Sequence, residues 1–176
     1  MKYIIAPALA AMFMVSAASA QSVGEKTGVN STLGVAPSTQ DFVTEAAASD
    51  MFEIQSSQLA ESKGDATAKT FAAKMIADHT KTTTELKGMV QDGKAKATLP
   101  SGMSSSQQSM LDKLKGLNGD DFNKQYKSDQ VSAHKDAVSL FERYAKGGEN
   151  SSLKAWADKT LPTLRDHLKM AQDNDK

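Results

Sequence analysis

Three kinds of hydrophobic patterning succeed one another along the chain. Ile4 to Val15 is an apolar run broken only by Pro7. Gln21 to Pro37 is rich in Gly, Ser, Thr and Asn and has no period. From Ser38 onward, apolar residues return every three or four positions, which is the repeat of helices with one buried face. No segment alternates with period two, so the pattern predicts no strand.

Four long helices and one short one can be marked by their ends. The first begins at Ser38 or Thr39, with Ser38 and Asp41 at capping-box spacing, and ends near Lys63-Gly64. Its stripe runs Phe42, Ala46, Phe52, Leu59 and Ala60, with Val43, Met51 and Ile54 off it. The second starts at the N-cap Asp65 and runs to about Gln91, showing Phe71, Ala72, Met75, Ile76, Leu86 and Val90. A loop follows, marked by Pro100 and Gly102. A short helix opened by Ser104 and Gln107 then carries Leu111, Leu114 and Leu117. The third long helix starts at Asp120-Asp121, shows Phe122, Tyr126, Val138 and Phe141, and stops at Gly147-Gly148. The fourth starts at Asn150 or Ser151 and shows Leu153, Trp156, Leu161, Leu164 and Leu168 around an internal Pro162. Short links inside the first and second pairs predict two antiparallel hairpins. The long link between the pairs predicts a crossover running from end to end. The expected fold is all-α: a ferritin-like four-helix bundle over residues 38–174.

The two N-terminal regimes read differently. Lys2, the apolar run and Ala18-Ser19-Ala20 form a signal peptide over residues 1–20, with cleavage expected between Ala20 and Gln21. The run falls short of the roughly 20 residues that span a bilayer core, so it predicts no transmembrane anchor. Residues 21–37 are expected to be a flexible leader. The protein is therefore expected in the periplasm or outside the cell. With no cysteine in the chain, it has no lipid attachment site, disulfide, thiolate metal site or thiol nucleophile.

Charge removes another class. The chain holds 21 basic and 21 acidic residues, and loss of Lys2 leaves the mature part at −1. Such a surface has no long-range attraction for phosphate backbones, and no nucleic-acid partner is expected. Neither Gly-x-Ser-x-Gly nor a glycine-rich phosphate loop occurs.

Candidate chemistry lies in the three histidines, His79, His134 and His167. Each sits on the apolar stripe of its own helix: four after Met75, four before Val138, and three after Leu164. Glu53, eleven after Phe42, joins them from the first helix. All four fall near mid-helix, within about a turn of one layer at roughly 1.5 Å per residue. Imidazole and carboxylate suit zinc, iron or copper, so one reading is a buried Glu/His metal layer open to redox chemistry. The other reading is a binding or interaction protein of the cell envelope, with an unidentified partner and structural histidines. Di-iron bundles need Glu-x-x-His, and no carboxylate stands three or four positions from any histidine here. The adjacent Asp78 and Asp166 point about 100° away from His79 and His167. They either support a facing helix's histidine as outer carboxylates or lie at the bundle seam.

Several stretches together resemble the exported bacterial domain-of-unknown-function 4142 family. They are FVTEAAASDMFEIQSSQLA at 42–60, MIADHTKTTTEL at 75–86, Ala133-His134, and TLPTLRDHL at 160–168. The resemblance spans about residues 38–173 in order and spacing. It implies a ferritin-like helical bundle behind a signal peptide and carries over no activity. Members are often labelled outer membrane proteins.

Overall fold

The computed structural model describes residues 29–173. The expected signal peptide, its cleavage point and the first part of the leader lie outside the described residues. A single turn, α1 (Val29–Thr32), precedes five longer helices: α2 (Thr39–Lys63), α3 (Ala66–Gln91), α4 (Ser105–Gly116), α5 (Gly119–Gly147) and α6 (Ser151–Asp173). No strand occurs among the described residues.

Side-chain caps set the helix starts. Asp41 N donates to Ser38 Oγ at 3.1 Å, Ala68 N to Asp65 Oδ1 at 2.8 Å, and Leu153 N to Asn150 Oδ1 at 3.0 Å. Ser104 and Gln107 close a full capping box. Each bond satisfies an amide that the first helical turn leaves without a partner. Between α4 and α5 the chain turns at Gly119, whose φ of +55° is the left-handed region that favours glycine. At the α2–α3 turn Gly64 is needed for space instead. A Cβ there would stand 2.6 Å from the Ala60 carbonyl oxygen and 2.8 Å from Ala68 Cβ.

The helices α2 and α3 pack along each other, as do α5 and α6, while α2 also meets α4 and α5, and α3 meets α6. Because α2 has neighbours on several sides, it buries more than the single stripe expected of it. Val43, off that stripe, is as buried as Phe42. The crossover is tied down at both ends of α2. Gln40 brackets Thr98, donating to its carbonyl at 2.8 Å and accepting from its amide at 2.9 Å. At the far end Lys63 Nζ donates to the carbonyls of Lys115 and Leu117.

Residues 29–37, the part of the expected leader that the structure describes, touch the helices. Pro37 is buried, Ser31 Oγ lies 3.3 Å from Ser139 Oγ, and Arg143 Nη1 donates to the Val35 carbonyl at 2.8 Å. Aperiodic composition conceals this contact because one proline, a hydroxyl pair and a guanidinium on a backbone carbonyl make it, and these leave no hydrophobic repeat. The fourth long helix runs unbroken through Pro162.

The apolar core falls into two clusters. One gathers Phe42, Leu86, Phe141, Tyr144, Leu153 and Trp156, and the other Phe71, Met75, Leu114, Phe122, Tyr126 and Ala171. Along α3, α5 and α6, the histidine of each helix falls between residues of one cluster and residues of the other. A polar layer therefore divides the hydrophobic interior at mid-height.

Candidate metal centre

Three helices each bring one imidazole into that layer. His79 on α3, His134 on α5 and His167 on α6 are exposed by only 2%, 1% and 1%. Their ring centroids lie 5.6, 5.5 and 5.3 Å apart. One nitrogen from each falls within 4.8 Å of the others.

The outer nitrogens are held by acceptors. His79 Nδ1 lies 2.8 Å from Asp50 Oδ1, and Asp50 Oδ2 accepts from Thr82 Oγ1 at 2.9 Å and Thr83 Oγ1 at 3.1 Å. His134 Nδ1 lies 2.9 Å from the Gln130 carbonyl oxygen. His167 Nε2 lies 2.8 Å from Asp78 Oδ2, which also accepts from Lys74 Nζ at 2.7 Å. A backbone carbonyl only accepts, and so does an ionised carboxylate, so each of these ring nitrogens carries the proton. The remaining nitrogens, His79 Nε2, His134 Nε2 and His167 Nδ1, are buried without a hydrogen-bond partner. In the neutral rings these three are lone-pair donors. Nothing in the layer supplies them with a hydrogen.

Glu53 lies beside the trio. Its Oε1 is 3.8 Å from His134 Nδ1, the nitrogen already donating to Gln130, and both its carboxyl oxygens are buried. The tight group within 4.8 Å contains the histidines alone, so Glu53 borders it. A buried polar file extends from Glu53 along α2 and α5: Gln130 Nε2 donates to Ser56 Oγ at 3.2 Å, and Ser57 Oγ lies 2.8 Å from Tyr126 OH. Of the two Asp-His pairs, Asp78 reaches across to the histidine of a facing helix. Asp166 is exposed, since one step along α6 turns it away from the side that buries His167. Asp50 was not singled out in the sequence. Its signal was its place three residues before Glu53, one turn away on the same face.

Burial and neighbouring charge set the protonation of the layer. Burial pushes Glu53 up to about 7, offset only partly by His79 and the Gln130 amide. Burial and the nearby His79 hold His134 down at about 3. Burial likewise holds His167 at about 4, against the pull of Asp78. Burial also works against charge on His79, but the Asp50 bond and the charge of Glu53 outweigh it and raise the imidazole. In the unfolded chain His134 and His167 titrate near 6.5. Below that pH the unfolded state binds more protons, so the stability these two contribute is full above 6.5 and lost as pH falls towards 4 and then 3. Glu53 acts oppositely, favouring the folded state most below 4.5 and losing that advantage as pH rises through about 7. Urea midpoints of a metal-free His167→Gln variant should therefore fall less steeply from pH 6 to pH 4 than those of the unmodified chain. An equal slope in that variant would refute the assignment of His167 as neutral.

No helix of the described residues is long and apolar enough to cross a membrane. Neither a curated protein nor a solved structure matches the chain. A family model does, over residues 24–173, and its description is "Domain of unknown function (DUF4142)". The chain belongs to that family.

Proposed function

We propose that this protein is an exported, ferritin-like four-helix bundle that binds one divalent transition-metal ion in its core. His79, His134 and His167 are the ligands, and Glu53 is the fourth group, its charge offsetting that of the ion. One observation carries this reading: each of the three buried imidazoles has one ring nitrogen held by an acceptor and the other without a hydrogen-bond partner, and one nitrogen from each lies within 4.8 Å of the others. Outer partners that fix tautomer and orientation are what a metal-ligating histidine needs. Purely structural histidines would place those buried nitrogens against donors, because an unpaired buried polar atom costs about 1–3 kcal/mol.

A nitrogen-rich set with one carboxylate and no thiolate suits zinc, copper or iron(II). Export is supported by Lys2, the apolar run and Ala18-Ser19-Ala20, and it would place the site in the periplasm or outside the cell. The test is elemental analysis of untagged protein purified from the periplasm. One equivalent of zinc, copper or iron per chain is expected. Protein that carries none and binds none of the three at micromolar concentration would overturn the reading.

A further inference from the structure

Two of the three histidines also line a surface cavity. A recess of about 90 Å³ opens between α3 and α6, walled by Asp78, Thr82, Glu85, Lys159 and Thr163, with His79 and His167 at its inner side. His134 is not part of its lining. The larger groove, about 620 Å³, lies elsewhere, over Phe71, Tyr126 and Val131, and has none of the histidines in its wall. From the metal reading above, on which this step rests, we infer that the α3–α6 recess is the mouth through which the ion reaches its ligands. Asp78 is the carboxylate that hands the ion inward.

The chemistry of the wall supports that role. Entering so narrow a recess, a hydrated ion must trade water for protein oxygens, and hard or borderline cations accept carboxylate and hydroxyl oxygens. Asp78 and Glu85 supply the carboxylates, each with a side chain 31% exposed. Thr82 and Thr163 supply hydroxyls. Asp78 is half in solvent and half inside: its Oδ2 bonds the buried His167 and the exposed Lys74 together. An ion arriving at Asp78 is one imidazole ring away from the converging nitrogens. Lys74 competes for that carboxylate and acts as a latch. Glu85, two turns further along α3, is fixed by accepting from Trp156 Nε1 at 2.8 Å, with Lys159 Nζ at 3.5 Å.

The test follows Co²⁺ uptake by the full chain in stopped flow, with Co²⁺ affinity measured separately at equilibrium. Thr163→Trp fills the recess and should slow uptake roughly tenfold, a barrier increase of about 1.4 kcal/mol, with little change in affinity. Lys74→Met, at an exposed position safe for folding, should speed uptake by releasing Asp78. Thr67→Trp, on the rim of the larger groove, should leave the rate unchanged. Wild-type uptake rates in both Thr163→Trp and Lys74→Met, or slowing in Thr67→Trp instead, would overturn the mouth while leaving the metal site standing. If the wild-type chain binds no Co²⁺ at equilibrium, the metal reading itself fails and the mouth with it.

Discussion

Zinc added to metal-free protein should raise its thermal midpoint, and replacing any one of His79, His134 or His167 with Ala should abolish the gain. An ion that binds only the folded state at a hundred times its dissociation constant stabilises by about 2.7 kcal/mol. For a domain of this size each kcal/mol moves the midpoint by roughly 2–4 °C, so the shift should be about 5–11 °C. The gain should shrink as pH falls through the histidine range, because ligands must be deprotonated to bind. Asp50→Asn and Asp78→Asn should weaken the gain without removing it, since they loosen the orientation of a ligand that is still present. Asp166→Asn, at an exposed position, should leave it intact. If the histidine variants lose equal stability with and without zinc, their role is packing and the site does not bind the ion.

Phe42→Ala should cost about 3–5 kcal/mol, the range for emptying a buried phenylalanine site. Phe42 is fully buried and stacks on Tyr144 with centroids 3.9 Å apart and planes 11° apart. It also meets the edges of Phe141 and Trp156 at 5.1 and 6.0 Å. Tyr144 is held from behind by Thr39 Oγ1, 2.9 Å from its hydroxyl, so the ring cannot simply collapse into the gap. Global stabilities run about 5–15 kcal/mol, so this one change removes a large share. Phe42 belongs to the apolar cluster on one side of the polar layer, and the zinc-dependent gain should survive in the variant. Chemical denaturation with and without zinc checks both statements. A loss under 1 kcal/mol would show that the cluster repacks.

The helices were legible because their signals are local. Ser38, Asp65 and Ser104 mark helix starts to within a residue, and the periodicity of α3, α5 and α6 points each histidine inward. The core face of α2 was harder to read. A helix with neighbours on several sides buries Val43, Asp50, Ser56 and Ser57 along with its stripe, so no single face stands out. Asp50 was hidden for that reason, because its importance lies in reaching His79, a partner 29 positions away. Asp78 and Asp166 looked equivalent in sequence, each directly before a histidine. They diverge because Asp78 has a facing imidazole within reach and Asp166 has solvent. The contact of residues 29–37 with α5 rests on a hydroxyl pair and on a guanidinium donating to the Val35 carbonyl, beside a single buried proline, and these leave no repeat in hydrophobic patterning.

The indole of Trp156 has a consequence for how the molecule can be observed. It is the only tryptophan in the chain. Its ring lies tilted against Phe141 with centroids 5.3 Å apart, while its nitrogen donates to Glu85 at the mouth. Its emission is therefore a built-in optical reporter on two events at once. Loss of core packing should shift the spectrum to the red, whereas an ion passing Glu85 should change intensity with little shift in wavelength. A copper ion lodged in the layer should quench it through space. The arrival of metal and the loosening of the fold can thus be followed separately in unlabelled protein, in real time, on a single native fluorophore.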